Sequence, residues 1–157
     1  MGFEVTALGC GEAFDERYTN MFLLARMWED GRRKPLVILS RAPLLDQLRG
    51  LMDRAYPGLA ARIGYPVEYR EAASGTPFEW EGLRFTLAPT QHSVTNLAVR
   101  LESRAGKFCY SGDGQFTDES RALFAGANLL VHEAYSFNPS PIHGDLAGVI
   151  QMAAYVS

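Results

Sequence analysis

Short segments in which apolar and polar residues alternate are separated by segments with helical spacing, so the chain is expected to mix strands and helices. Residues 3–8 alternate and run into a glycine turn at 9–11, a pattern typical of a strand that ends in a tight turn. Residues 21–30 show no alternation and are rich in helix formers. Gly31 follows them, so we expect a helix that ends at this glycine.

A strand, a helix and a second strand are predicted between residues 35 and 70. The run 35–39 is short and apolar, which is typical of a buried strand. Leucines and a methionine recur at spacings of three and four over residues 43–55, which predicts an amphipathic helix. Residues 66–70 continue the order with the second strand.

From residue 77 onward the predicted strands follow one another closely. Residues 78–87 alternate on both sides of Gly82, which predicts a hairpin. Strands at 97–102 and 108–111 extend it into an antiparallel meander. The pattern adds a helix, a buried strand and a final helix at 117–124, 129–131 and 145–156. Together these elements predict a layered α/β or α+β sandwich.

The meander predicts which strand ends lie together. Its first strand, 83–89, and its third, 108–111, run in the same direction, so their carboxyl ends meet at one edge of the sheet. His92 follows the first of these strands and Asp113 follows the third. Both side chains are therefore expected at the same edge.

The next strand is expected to end at that edge as well. The helix after the meander is a crossover, so strand 129–131 should run parallel to the third meander strand. His132 and Glu133 follow this strand, and His143 lies in the loop beyond it. We expect all three histidines of the chain and Asp113 to gather along one rim, the usual place for ligand-binding and catalytic groups.

Composition narrows the function classes. The chain has 157 residues, of which 47% are hydrophobic, and a formal net charge of −3. The high apolar content excludes a disordered tail, and the negative net charge argues against a protein that binds nucleic acid through an excess of positive charge. The length predicts a single domain over residues 1–157. Two cysteines, no targeting segment and no apolar run of the ~20 residues that span a membrane predict a soluble cytoplasmic protein.

Imidazole and carboxylate groups on one rim suit a divalent metal such as zinc. Such an ion lowers the pKa of bound water toward neutrality and supplies a nucleophile. Each residue also has a plainer interpretation: His92 as a surface residue, Asp113 as a turn former, His132 as a hydrogen-bonded structural histidine and His143 as a loop residue.

Five segments in this order resemble metallo-β-lactamase-fold hydrolases, and the ribonuclease Z-like branch in particular. Residues 3–11 resemble the opening strand and glycine turn of that branch. Thr90-Gln91-His92-Ser93 with residues 96–100 resembles its pair of strands with a metal-binding histidine, and Tyr110-Ser111-Gly112-Asp113 resembles its SGD strand. Leu130-Val131-His132-Glu133-Ala134 resembles its HEA strand. Pro141-Ile142-His143-Gly144 resembles its loop with a catalytic histidine.

The resemblance implies an αββα four-layer fold and a role for each rim residue. It implies His92 as a metal ligand and Asp113 as a ligand that bridges two ions, with zinc or manganese as the cofactor. It implies His143 as the catalytic proton donor or oxyanion stabiliser. His132 would be a supporting residue that contacts the site without binding the metal.

The sequence departs from the family pattern at two places. The His-x-His-x-Asp-His metal motif is absent, since no histidine precedes His92. Compared with the family pattern, we expect that the block of strands and metal-binding loop that carries this motif is missing between about Asn20 and Met21. We also expect that a last strand with a metal-binding histidine is missing after Ser157.

The metal site should then be incomplete. Further ligands could come from a second chain, or from Cys10, Glu12 and Asp15 near the first turn, although nothing in their spacing requires it. An exposed sheet edge should favour a homo-oligomer.

Three functions follow from these features. The first is a metal-dependent hydrolase that acts on a small-molecule or nucleic-acid phosphodiester or ester by metal-activated water. The second is a non-catalytic remnant of the fold that serves as a binding or interaction module. The third, a phosphate binder that uses the glycine turn at 9–11, has little support because no Gly-x-Gly-x-x-Gly follows.

Overall fold

The chain divides into two compact units, and each is described here by itself. The computed structural model describes residues 27–156, of which 27–72 belong to the smaller unit and 73–156 to the larger. The predicted strand at 3–8, the glycine turn at 9–11 and the first part of the helix at 21–30 lie outside the described residues. No helix among residues 27–156 has the length and apolar character to cross a membrane. The single domain over 1–157 stays a prediction.

The smaller unit contains two parallel strands joined by a helix. Strands β1 (Leu36–Ser40) and β2 (Val67–Glu71) pair from Leu36 opposite Val67 onward, and α1 (Ala42–Ala55) connects them. Pro43 lies in the first turn of α1, where its missing N–H costs no helical hydrogen bond. The three predicted elements are confirmed to within one residue at each end.

A glycine ends the helical segment that precedes β1, as predicted. Residues 27–29 are helical, and Gly31 has a φ of +72°. Its backbone N–H donates to the carbonyl of Trp28 at 3.0 Å, and the N–H of Arg32 donates to the carbonyl of Met27 at 2.9 Å. The left-handed conformation of Gly31 satisfies the last carbonyls of the helix, which is why a glycine stands there.

The larger unit is built on a five-stranded sheet in the order β3-β4-β5-β6-β7. Its first four strands form an antiparallel meander, and β7 pairs in parallel with β6. Both features were predicted and are confirmed. The strands are β3 (Phe78–Trp80), β4 (Leu83–Thr90), β5 (Asn96–Ser103), β6 (Gly106–Tyr110) and β7 (Leu129–Val131).

The hairpin between β3 and β4 turns at Glu81 and Gly82. Both residues have positive φ, +50° and +76°, as the tight turns favoured between twisted strands require. Phe78 and Phe85 face each other across the two strands, with stacked rings 4.7 Å apart. The turn and the aromatic pair together fix the register of the sheet edge that β3 forms.

Two helices pack on this sheet and bury its core. Helix α2 (Asp118–Phe124) is the crossover from β6 to β7, and Thr117 and Ser120 cap it reciprocally. Helix α3 (Leu146–Val156) follows the loops of the rim. The fully buried core side chains are Ala98, Cys109, Phe124 and Met152. Burial raises the pKa of the Cys109 thiol to about 11, so at neutral pH it stays protonated and serves as a packing residue.

Candidate metal centre

Loops from three strands of the larger unit meet at one edge of the sheet. His92 follows the end of β4, Asp113 follows β6, and Glu133 follows β7. The first two loops are joined by a pair of backbone hydrogen bonds, because Gln91 and Gln115 each donate to the carbonyl of the other, at 2.7 and 2.9 Å. The meander therefore brings the segments of His92 and Asp113 together.

His92, Asp113 and His143 form a cluster of possible metal ligands. Each offers one nitrogen or oxygen, and these atoms all lie within 4.8 Å of one another. His92 Nε2 lies 3.6 Å from Asp113 Oδ2, and His143 Nδ1 lies 3.1 Å from Asp113 Oδ1. The two imidazoles are mostly buried, whereas the side chain of Asp113 is 68% exposed. The carboxylate can therefore be reached from solvent.

Glu133 holds His143 in this cluster. Its Oε1 lies 2.7 Å from His143 Nδ1, and its Oε2 accepts from the backbone N–H of Gly144 at 3.2 Å. Two carboxylates, from Glu133 and Asp113, contact the same ring nitrogen. Both are acceptors, so Nδ1 carries the hydrogen and Nε2 is left as the atom that can exchange a proton. The sequence placed Glu133 at the rim but assigned it no role.

His132 is not part of the cluster, and the prediction that all three histidines reach the rim is wrong for this residue. Its ring lies edge-on to those of Phe116 and Phe124, with centroids 5.3 and 5.7 Å away. Its Nδ1 lies 2.7 Å from the carbonyl of Glu133. Adjacent residues point to opposite sides of an extended chain, so His132 turns to the core while Glu133 turns to the rim.

The loop that carries His143 packs closely against the segment after β7. A Cβ built on Gly144 would lie 2.5 Å from the carbonyl oxygen of Glu133 and 3.0 Å from the ring of His132. Only glycine allows this approach without a backbone shift. The ring of His132 therefore lies beside the loop of His143 at Gly144, and the supporting role that the resemblance implied stays a prediction.

The glycines on either side of Asp113 are needed for more than a turn. Gly112 has a φ of +68°, and a Cβ there would lie 2.8 Å from the side chain of Asn96. A Cβ on Gly114 would lie 2.6 Å from Thr90 Oγ1. The Asp113 loop thus lies directly on the end of the β4–β5 pair, which brings the carboxylate to His92.

Tyr135 forms the outer wall of the cluster. Its ring stacks on that of His143, with centroids 4.6 Å apart and planes 24° apart. Its backbone N–H donates to the carbonyl of Gly144 at 2.9 Å, which fixes its position. The side chain is nevertheless 69% exposed. No local sequence pattern marks this residue, because its partner lies in another loop.

The donor set fits a divalent cation. His92 Nε2 and the oxygens of Asp113 are the neutral imidazole and carboxylate donors that zinc and manganese accept. Two carboxylates engage His143 Nδ1 and orient the ring, which suits a proton-transfer group and equally a metal ligand at Nε2. With His143 assigned to proton transfer, the two side chains left among the described residues are fewer than the three or four ligands of a complete zinc site.

Most of the chain matches a known domain family. Residues 18–157 match the model of the beta-lactamase superfamily domain. None of the curated proteins searched matches the chain. Proteins of this fold generally bind divalent metals, in line with the donor set described above.

Solved structures similar to the chain share its fold. The metallo-beta-lactamase fold protein YhfI from Bacillus subtilis superposes with a TM-score of 0.59 and 18% identity, over 76% of this chain and 47% of that one. A diphosphatase of the PhnP family superposes with a TM-score of 0.58 and 19% identity, over 85% of this chain and 50% of that one. The short form of human tRNase Z superposes with a TM-score of 0.59 and 16% identity, over 78% of this chain and 56% of that one. The chain therefore spans about half the length of these structures.

Proposed function

Because the chain belongs to the beta-lactamase superfamily domain family, we propose that it is a metal-dependent hydrolase that cleaves phosphodiester or ester bonds. The observation that carries this proposal is the cluster of His92, Asp113 and His143, whose donor atoms lie within 4.8 Å of one another. The fold and the mixed α/β architecture are those of hydrolases among the similar structures.

In this proposal His92 and Asp113 hold a zinc or manganese ion, or two ions if a second chain supplies further ligands. When bound, the metal supplies positive charge and lowers the pKa of water toward neutrality. Asp113 suits this role because its carboxylate is exposed and in contact with both histidines.

His143 donates a proton to the leaving group or stabilises the developing oxyanion. Glu133 accepts the hydrogen of Nδ1 and so orients the ring, which leaves Nε2 as the atom that delivers the proton. Tyr135 covers one face of the imidazole and limits its rotation. His132 takes no part in proton transfer and keeps the loop in place.

We propose that the substrate is a phosphodiester and that the chain belongs to the ribonuclease Z-like branch of the family. A diphosphatase and a tRNase Z are among the similar structures. The net charge of −3 offers no excess of positive charge for a long nucleic acid, which favours a small phosphodiester. A cytoplasmic location remains part of this proposal.

The alternative is a non-catalytic binding module that retains the fold. It is favoured by one observation: with His143 assigned to proton transfer, His92 and Asp113 are the two ligands left in the cluster. Such a module would bind metal weakly and would have no turnover.

Metal-dependent turnover is the test of the proposed function. With zinc or manganese added, the purified chain is expected to hydrolyse bis(p-nitrophenyl) phosphate, and a chelator is expected to abolish the reaction because the positive charge at the cluster is lost. Release of p-nitrophenolate is followed by absorbance. Turnover that a chelator leaves unchanged would contradict the proposal, and so would the absence of turnover with either metal.

A homo-oligomer is expected from the exposed edge of the sheet. Strand β7 is the last strand of the described sheet, and Leu129 and Val131 on it are 54% and 45% exposed. An exposed apolar edge strand favours pairing with another chain. Sedimentation velocity should show a species larger than the 17.4 kDa of one chain. Val131→Lys places a charge on the edge strand and should convert this species to the monomer. A monomer at all concentrations would contradict this expectation.

A further inference from the structure

Gln115 lies among the three loops of the cluster and has no role in the function proposed above. It stands two residues after Asp113, and its backbone pairs with Gln91, next to His92. Its side-chain Nε2 lies 3.2 Å from the carbonyl oxygen of Ser140 and 3.2 Å from Asp145 Oδ2. These two residues flank His143 on either side. One residue thus contacts all three segments that carry the cluster.

The surroundings of the Gln115 side chain require an amide. Nε2 faces two acceptors, a carbonyl and a carboxylate, and an NH₂ group has a hydrogen for each. Oε1 accepts from the backbone N–H of Phe116 at 3.1 Å. A carboxylate in this place would set oxygen against oxygen, and an apolar side chain would leave the acceptors unpaired.

Both partners of the amide fix the loop of His143. Ser140 Oγ accepts from the backbone N–H of His143 at 3.2 Å. Asp145 Oδ1 accepts from the N–H of Gly148 at 2.9 Å and so caps α3. The Gly148 bond, assisted by that of Gln115, lowers the pKa of the Asp145 carboxyl despite its burial, so it is charged at neutral pH.

We propose that Gln115 is the positioning residue of the cluster, whose amide ties the loop of His143 to the segments of His92 and Asp113. Its backbone pair with Gln91 sets the distance between two of the segments for any side chain, whereas the third segment depends on the amide. The expectation for metal binding rests on the function proposed above, while the expectation for the imidazole of His143 does not.

The test exchanges donor and acceptor between Gln115 and Asp145. Gln115→Glu keeps the shape and removes the donors, and Gln115→Glu with Asp145→Asn restores one donor–acceptor pair in reverse. Gln151→Glu on the exposed face of α3 is the matched control for the added charge. Gln115→Leu, which is uncharged, replaces the first variant if that does not fold by circular dichroism.

Two measurements are made on each protein. The ring nitrogen and carbon resonances of His92 and His143 are recorded by NMR without metal, and the affinity for zinc is measured by competition with a chelating dye. Gln115→Glu is expected to move the His143 resonances and to leave those of His92 and the affinity for zinc unchanged, because the backbone pair with Gln91 still holds the segments of the proposed ligands. The double variant is expected to recover most of the shift at His143, and Gln151→Glu to change neither measurement.

Three outcomes would overturn the inference. The first is Gln115→Glu with parental imidazole resonances. The second is a double variant as perturbed as the single one. The third is a control that behaves like Gln115→Glu, because the effect would then come from charge alone. If the parent binds no zinc, the proposed function fails, and the NMR measurement still decides whether Gln115 positions His143.

Discussion

Replacing His143 with alanine is expected to lower kcat for a phosphodiester by about 10²–10⁴, the usual contribution of a positioned general acid or base. The reason is the geometry at Nδ1, which Glu133 and Asp113 contact at 2.7 and 3.1 Å, so that the ring is oriented for proton transfer at Nε2. Glu133→Gln should lower kcat in the same direction, because an amide has one acceptor oxygen and cannot accept from both His143 Nδ1 and the Gly144 N–H, so the ring loses its orientation.

Two controls separate this role from metal binding. The metal content of His143→Ala should match that of the parent, since His92 and Asp113 are the proposed ligands. The double variant of His143 and Glu133 should lose no more activity than the worse single variant, because residues that act as a unit are not additive. Loss of metal in His143→Ala would contradict the proton-transfer role, and so would an unchanged kcat.

Replacing Phe124 with alanine is expected to lower the free energy of unfolding by about 3–5 kcal/mol. The side chain is fully buried at the end of α2 and lies edge-on to the ring of His132, with centroids 5.7 Å apart. Its removal leaves a cavity between the core and the segment that supports His143. Such a loss is a large part of the 5–15 kcal/mol of a typical domain.

Denaturation by urea, followed by circular dichroism, measures this effect. Phe137→Ala is the matched control, since its side chain is 82% exposed, and it should change the free energy of unfolding by less than about 0.5 kcal/mol. If Phe124→Ala cost no more than the control, the assignment of the core to this face of the sheet would be wrong.

The order and direction of the strands could be predicted because the residues that determine them are neighbours in the sequence. Alternation over β4 and β5 and the glycine at 82 determine the meander, and the crossover helix then determines that β7 runs parallel to β6. The direction of each strand follows from its place in the meander. The meeting of the His92 and Asp113 segments could therefore be inferred without knowledge of any side-chain contact.

Contacts between distant loops could not be predicted in the same way. Of the two neighbours after β7, the sequence assigned a supporting role to His132 and none to Glu133, and only the side-chain contacts show that Glu133 faces the rim. Gln115 and Tyr135 gain their positions from residues in other loops, through hydrogen bonds and stacking that no periodicity encodes. The resemblance itself indicated the family correctly, and residues 18–157 match its model.

The metal content of the purified chain tests the central claim most directly. Zinc and manganese are determined by mass spectrometry in the parent and in a variant with His92→Ala and Asp113→Ala. A near-stoichiometric metal in the parent and its loss in the variant is the predicted result, since His92 and Asp113 offer the imidazole and the exposed carboxylate of the cluster and a second chain is proposed to supply the further ligands. Equal metal content in both proteins, or no metal in either, would contradict a metal centre at this edge of the sheet.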